Sequence, residues 1–274
     1  MSFLWPDNQK QNLMTTQPSQ PQSVAVAGPS SPVQSSPPLV IAFATQKGGM
    51  GKTTLSVLVA SWLHYKRRIK VALLDVDGSQ LSVYNQRLHE HEHLDEESAL
   101  RFDEQAIDPY AILSGTPGDV PALLAELPED VRLVLIDMPG SIDVDGYETA
   151  IGKLDYMIVP METSRYAVTT GFSYLNAIRQ IDLLPADRCR IVWNKYKPSR
   201  DGEVADQLEE RFIEYGFTCL KSRIPQRDSY QDSTNLSTLF PMPAPYLRNS
   251  GLKDLFVEIE ALLPTIEAHA PTRE

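Results

Sequence analysis

The sequence predicts an α/β fold, a mostly parallel, twisted β-sheet covered by helices on both faces. Three observations lead there. From Leu39 onward, short apolar runs alternate with amphipathic stretches of helical period. A glycine-rich loop separates the first apolar run from the first helical stretch. The composition, 42% hydrophobic and 22% charged over 274 residues, is that of a globular chain long enough for one domain with a sizeable core.

Residues 1–37 stand apart from this rhythm. Pro6, Pro18, Pro21, Pro29, Pro32 and Pro37 punctuate a Gln- and Ser-rich stretch with almost no apolar periodicity. Such a segment cannot bury enough apolar surface to offset its ordering entropy, so it is read as a disordered tail. Phe3, Leu4 and Trp5 are its exception, read either as a frayed terminus or as a short docking motif. The folded domain is assigned to residues 38–268, and residues 269–274 to a disordered C-terminus.

Within the domain, Leu39 to Ala44 reads as a buried strand. A helix follows from about Thr53 to Lys66, with Leu55, Leu58, Val59, Trp62 and Leu63 at helical spacing. Further strands are expected at Val71 to Asp75, Leu133 to Asp137, Tyr156 to Pro160, Arg190 to Asn194 and Thr218 to Ile224. Helical patterns lie near 164–181, 202–215 and 251–263. Residues 85–108 interrupt the alternation with eight acids against Arg87 and Arg101, and read as a solvated acidic face. His89 and His93 would share a helical face there, but no further metal ligand is evident.

Composition excludes several classes. No run approaches the roughly eighteen apolar residues of a membrane span, and the N-terminus lacks a charged region followed by an apolar one. Cys189 and Cys219 are the only cysteines, too few for a disulfide scaffold, and fit a reducing cytoplasm. The net charge of −11 argues against a surface that is basic throughout.

The loop Gln46-Lys47-Gly48-Gly49-Met50-Gly51-Lys52-Thr53-Thr54 sits between a strand and a helix, the context a phosphate-binding loop requires. Its glycines let the backbone curl so that several N–H groups face one anion, and the helix N-terminus adds its positive end. Lys52 is placed to reach the β- and γ-phosphates, and the Thr53 hydroxyl to ligate Mg²⁺. The fold is therefore a P-loop NTPase, with a sheet of about seven or eight strands.

The loop departs from the common pattern in having Gln46 in place of glycine and an additional Lys47. In this it resembles the deviant Walker A box of the ParA/MinD ATPases, and most closely ParA-type partitioning proteins, including those of conjugative mobile elements. The resemblance implies ATP and Mg²⁺ as cofactors, with the nucleotide bound by Lys47, Gly48, Gly49, Met50, Gly51, Lys52, Thr53 and Thr54. It implies a homodimer formed around two ATP molecules, in which Lys47 reaches the partner's phosphates as an arginine finger does elsewhere. Leu74-Asp75-Val76-Asp77 resembles the family's second box, which implies that Asp77 orients the attacking water and Asp75 supports the Mg²⁺ shell. Leu133-Val134-Leu135-Ile136-Asp137 resembles the Walker B strand, with Asp137 at the metal. Val159-Pro160-Met161-Glu162, Val192-Trp193-Asn194-Lys195 and Ile224-Pro225-Gln226-Arg227 follow in the family's order, placing Asn194 and Pro225 at the adenine. The catalytic residues implied are Lys47, Lys52 and Asp77.

The branch is argued from charge and cysteine placement. An iron–sulfur member needs cysteines that Cys189 and Cys219 do not provide. A membrane-binding member would end in a basic amphipathic helix, whereas residues 252–274 hold more acids than bases, so no membrane partner is expected. Two basic windows, 188–200 and 221–227, offer Lys195, Lys197, Arg200, Lys221, Arg223 and Arg227 as non-specific DNA contacts. The expected function is a slow, partner-stimulated ATPase, cytoplasmic and nucleoid-associated, that partitions plasmid, chromosome or mobile-element DNA with a ParB-like activator. Two alternatives stand beside it. One is an ATPase positioning a protein cargo, such as a division-site or conjugation complex, and the other a nucleotide-gated scaffold without turnover.

Overall fold

A computed structural model describes residues 37–78, 81–230, 232 and 235–264. The tail before residue 37, Gln80 and residues 269–274 lie outside the described residues. Seven strands form one sheet in the order β3-β2-β4-β1-β5-β6-β7, every neighbouring pair parallel. The strands are β1 (Leu39–Phe43), β2 (Val71–Asp75), β3 (Ala111–Ser114), β4 (Leu133–Asp137), β5 (Tyr156–Met161), β6 (Cys189–Tyr196) and β7 (Thr218–Pro225). The helices are α1 (Lys52–Arg67), α2 (Ser82–Glu92), α3 (Glu96–Glu104), α4 (Val120–Ala125), α5 (Tyr147–Ile151), α6 (Arg165–Ile181), α7 (Pro198–Glu214) and α8 (Leu252–Glu260).

Alternation along each strand sorts side chains to two core layers. Leu39, Ile41 and Phe43 join Leu73, Leu133 and Leu135 on one face, packed against Leu55, Leu58 and Leu63 of α1 and Phe256 and Ile259 of α8. Val40, Ala42 and Ala44 join Leu74, Val134 and Ile136 on the other, with Tyr174 of α6 and Phe212 of α7. With both faces covered, β1, β2, β4 and β5 read as apolar runs, as the sequence led one to expect. The acidic α8 docks on the protein's own core: Phe256 stacks on Trp62 with ring centroids 5.2 Å apart. Its Glu258 carboxylate accepts the Lys221 and Ser222 N–H groups at 2.7 and 2.9 Å, closing part of the β7 edge. No helix among the described residues is long and apolar enough to cross a membrane.

Five elements escaped the sequence reading: α2, α3, β3, α4 and α5. β3, α4 and α5 are six residues or shorter, below the length at which periodicity separates helix from strand, and α2 and α3 bury too few residues to show an apolar stripe. The 85–108 segment is also less solvated than expected. Arg87 is buried and donates to Thr238 Oγ1 at 2.7 Å, to the Thr238 carbonyl at 2.9 Å and to the Tyr110 carbonyl at 3.0 Å. Glu90 accepts from Thr238 N at 2.8 Å and Thr238 Oγ1 at 2.6 Å. His89 and His93 stack 4.2 Å apart, and no metal-binding group of His, Cys, Asp and Glu occurs among the described residues.

His64 of α1 carries a pH dependence. It is buried, donates from Nε2 to the Asp108 carbonyl at 2.8 Å and faces the Val71 N–H with Nδ1 at 3.4 Å. Desolvation lowers its pKa to about 4, helped by Lys70 and Arg87 and opposed by the Asp108 carbonyl. The folded state thus binds the proton less well than the unfolded chain. The neutral ring's full contribution is present above about pH 6.5 and is lost as pH falls toward about 4. The loss is about 2 kcal/mol by pH 5 and about 3 kcal/mol below pH 4. Urea unfolding at pH 7 and pH 5 checks this against His64→Gln, which should lack the loss. The pairwise comparison matters because the raised pKa of Asp137 acts in the opposite sense.

Candidate nucleotide site

The site forms where β1, β2 and β4 end at the carboxyl edge of the sheet. This is where ligands bind in open α/β sheets, because loops to opposite faces diverge there. The chain leaves β1 and turns through the glycine loop into α1. Gly51, at φ 86°, is the N-cap of α1, and no acid occupies the helix's first turn, so its free N–H groups face the loop without a competing anion. Gly51 is required twice over. Its backbone is left-handed, and a Cβ there would lie 2.6 Å from Asn194 Nδ2. Asn194, nearly buried at the end of β6, donates from Nδ2 to the Met50 carbonyl at 2.7 Å and so ties the loop to the far half of the sheet.

A cavity of about 790 Å³ opens over this loop. Gly48 to Thr54 floor it, Asp77 and Gly78 flank it, and Pro139, Gly140 and Ser141 close the Walker B side. Lys52 Nζ lies beside Gly140, 3.7 Å from where a Cβ would stand. A smaller hollow of about 100 Å³ shares Gly49, Gly51 and Thr54, and is walled by Asn194, Lys195, Pro225, Gln226, Arg227, Asp228 and Tyr230. One loop between a wide cavity and a narrow slot has room for a phosphate chain followed by a flat base. Asn194 and Pro225, the two residues the resemblance implied for adenine, both line the slot.

The metal-ligating candidates are brought together in part. Thr53 Oγ1 donates to Asp137 Oδ2 at 2.6 Å, while Asp137 Oδ1 is buried with no hydrogen-bond partner among the described residues. Burial pushes the Asp137 carboxyl up to about 7, eased by the Thr53 bond and Lys52 and reinforced by Asp75 and Asp77. A buried carboxylate with an idle oxygen beside a hydroxyl fits a hydrated divalent cation. Asp75 lies directly opposite Asp137 in the β2–β4 register and uses Oδ2 to accept from Val83 N at 2.9 Å and Tyr84 N at 3.0 Å, while its Oδ1, like that of Asp137, is buried with no hydrogen-bond partner among the described residues. Burial raises its pKa, opposed by those backbone donors. Lys47 points away from the cavity floor: its Nζ sits 5.3 Å from the centroid of the Tyr166 ring on α6. That ring is 71% exposed.

The six basic residues are engaged within the fold to different degrees. Arg223 is bound to Asp206 at 2.5 Å and Glu209 at 2.8 Å, bridging β7 to α7. Arg227 donates to the carbonyls of Tyr246, Arg248 and Asn249. Arg200 pairs with Asp201 at 2.6 Å and Lys195 with Glu162 at 3.5 Å. Lys197 and Lys221 are exposed.

Residues the sequence reading missed also line the phosphate cavity. Thr116 and Pro117 follow β3, and Val144 and Asp145 follow β4. The two loops touch where Gly146, at φ 79°, packs against the Gly118 backbone so closely that a Cβ would collide with it. The Gly115-Thr116-Pro117-Gly118 run was a turn signal, but only the position of β3 beside β2 aims it at the phosphates.

Comparison with known proteins agrees with this geometry. The solved structures it is similar to include a putative plasmid partition protein from Borrelia burgdorferi bound to AMPPNP, with 20% identity, TM-score 0.58, and coverage of 82% of this chain and 99% of that one. The MinC:MinD cell division complex of Aquifex aeolicus gives 16% identity and a TM-score of 0.59, with 85% and 100% covered. A ParA family ATPase from Chlorobium tepidum gives 18% identity and a TM-score of 0.56, with 82% and 99% covered. At these identities the likeness is one of fold. Among curated proteins, no sequence match was found. The family model described as the CobQ/CobB/MinD/ParA nucleotide binding domain matches residues 41–238, most of the chain, and the protein accordingly belongs to that family of P-loop ATPases.

Proposed function

We propose that this chain is a Mg²⁺-dependent ATPase that dimerises around two ATP molecules and uses the dimer to hold DNA while a cargo is partitioned or positioned. The observation that carries the reading is the paired lysines of the loop. Lys52 borders the phosphate cavity, and Lys47 leaves it for the exposed Tyr166 ring, on a surface another protomer could cover. A charge turned outward from its own nucleotide is useful if it completes a neighbour's site. Thr53 and Asp137 would hold Mg²⁺, which neutralises charge on the β- and γ-phosphates. Asp77, at the cavity edge beyond β2, would orient the attacking water. Its turnover is expected to be slow until a partner, such as a ParB-like activator, stimulates it. The working location of such a device is the nucleoid in the cytoplasm.

The DNA contact rests on Lys197 and Lys221, with Lys195 and Arg200 beside them, because Arg223 and Arg227 are engaged within the fold. A dimer doubles that surface. If it neutralises about six phosphates, affinity should fall by roughly a thousandfold between about 50 and 200 mM salt. Gel shift of the ATP-bound dimer across that range tests this, with Lys197→Glu/Lys221→Glu as the variant expected to lose DNA and keep dimerisation. Anionic liposomes should not compete, since the hydrophobic face of α8 is buried in the core. A dimer that leaves low-salt DNA unshifted favours the second reading, in which the cargo is positioned through protein contacts alone. The engagement of Arg223 and Arg227 within the fold is the observation on that side.

A further inference from the structure

We infer that Asp75 is a positioning residue: through Oδ2 it caps α2 from the end of β2 and thereby holds Asp77 at the phosphate cavity. The inference rests on the hydrolytic role given to Asp77 above.

The reason begins with a missing cap. A helix leaves its first N–H groups unsatisfied, and a Ser, Thr, Asp or Asn at the N-cap ordinarily accepts from the second or third of them. The N-cap of α2 is Leu81, in the left-handed region at φ 42°, and it makes no side-chain cap. Val83 and Tyr84, the second and third residues of α2, are the two that donate to Asp75 Oδ2. A carboxylate from another element does the work of the absent local cap, and its charge also meets the positive end of the helix. Asp75 and Val83 are both fully buried, so water cannot substitute.

The far face of α2 is fastened as well. Gln86 donates to the Leu236 carbonyl at 2.7 Å, Arg87 reaches Thr238 and Tyr110, and Glu90 takes both donors of Thr238. α2 is therefore a fixed post. Asp77 hangs between that post and the sheet: its carbonyl accepts from Leu81 N at 2.9 Å, and two residues before it Asp75 grips the same helix start. Without Asp75 the β2 end and the α2 start would keep the apolar packing of Val83 with Val71 and Leu73 but lose their side-chain hydrogen bonds, loosening the register of Asp77 against the cavity. This role needs an acceptor oxygen at Asp75. A place in the Mg²⁺ shell would need its negative charge.

Asp75→Ala and Asp75→Asn separate the two. In Asp75→Ala, turnover per folded molecule should fall by at least about tenfold with the nucleotide KM within about threefold, and amide exchange at Val83 and Tyr84 should accelerate by about tenfold or more. Asp75→Asn keeps an acceptor oxygen, so it should recover most of the turnover, restore protection at both amides and leave the Mg²⁺ half-saturation within about threefold of the native value. Asp75→Ser, with normalisation to the folded fraction by thermal melting, covers the case in which the alanine variant does not fold. Asp75→Asn as impaired as Asp75→Ala, with half-saturation raised about tenfold, would overturn the inference. So would unchanged exchange at Val83 and Tyr84 in Asp75→Ala. If the native chain does not hydrolyse ATP, the hydrolytic reading fails on its own, and the exchange measurements still decide whether Asp75 holds α2.

Discussion

Replacing Lys52 with alanine should weaken ATP binding by about 30- to 100-fold, the loss of a charge-assisted contact to the β- and γ-phosphates. The effect is large because Lys52, which begins α1 beside Gly140, is the one basic side chain lining the cavity among the described residues. Lys47→Ala should behave differently. With its Nζ over Tyr166, Lys47 lies outside its own phosphate cavity, so the monomer's affinity should change by less than about threefold, whereas ATP-dependent dimerisation and turnover should disappear. Equilibrium binding of a fluorescent ATP analogue and sedimentation velocity with ATP measure the two effects separately. A normal dimer of the Lys47→Ala protein would remove the cross-subunit role, and equal loss of monomer affinity in both variants would return Lys47 to its own nucleotide.

Asp77→Ala should bind Mg-ATP and hydrolyse it about a hundredfold to ten-thousandfold more slowly, the range expected when a positioned acid–base group is removed. Its dimer should accumulate, because hydrolysis is what resets it. Asp137→Ala should instead weaken Mg²⁺-dependent binding, since its carboxylate is the one in contact with Thr53. Phosphate release with and without DNA, together with the sedimentation profile in ATP, distinguishes the two. Turnover at the native rate in Asp77→Ala would exclude its role in aligning water.

Much of the site was legible in sequence because its chemistry is local. The strand–glycine–helix order around Gly48 to Thr54 is the context of a phosphate-binding turn, and the four apolar residues ahead of Asp137 form the strand that brings it to the sheet edge. The segments that periodicity could not reveal were those too short to show a period, β3 among them, and the polar α2 and α3, and with β3 went Thr116 and Pro117. Charge was legible as a count but not as a surface. Arg223 and Arg227 stand in a basic window of the sequence, yet in the fold one is held by Asp206 and Glu209 and the other by three backbone carbonyls. Those partners lie fourteen to twenty-two residues away, beyond any spacing rule.

By itself, then, the amino-acid sequence determined the parallel α/β class, the phosphate loop with its two lysines and the order of the aspartates, because each depends on neighbours within one turn or one strand. Tertiary structure alone decided which way those groups face. It turned Lys47 outward to Tyr166, drew Asn194 to the Met50 carbonyl, buried Arg87 and bonded Glu90 to Thr238 within an acidic stretch, and committed Asp75 Oδ2 to a helix eight residues on. The physical reason is the same in each case. A buried polar group must find a partner, and which partner is within reach is a property of the packed chain and not of the order of its residues.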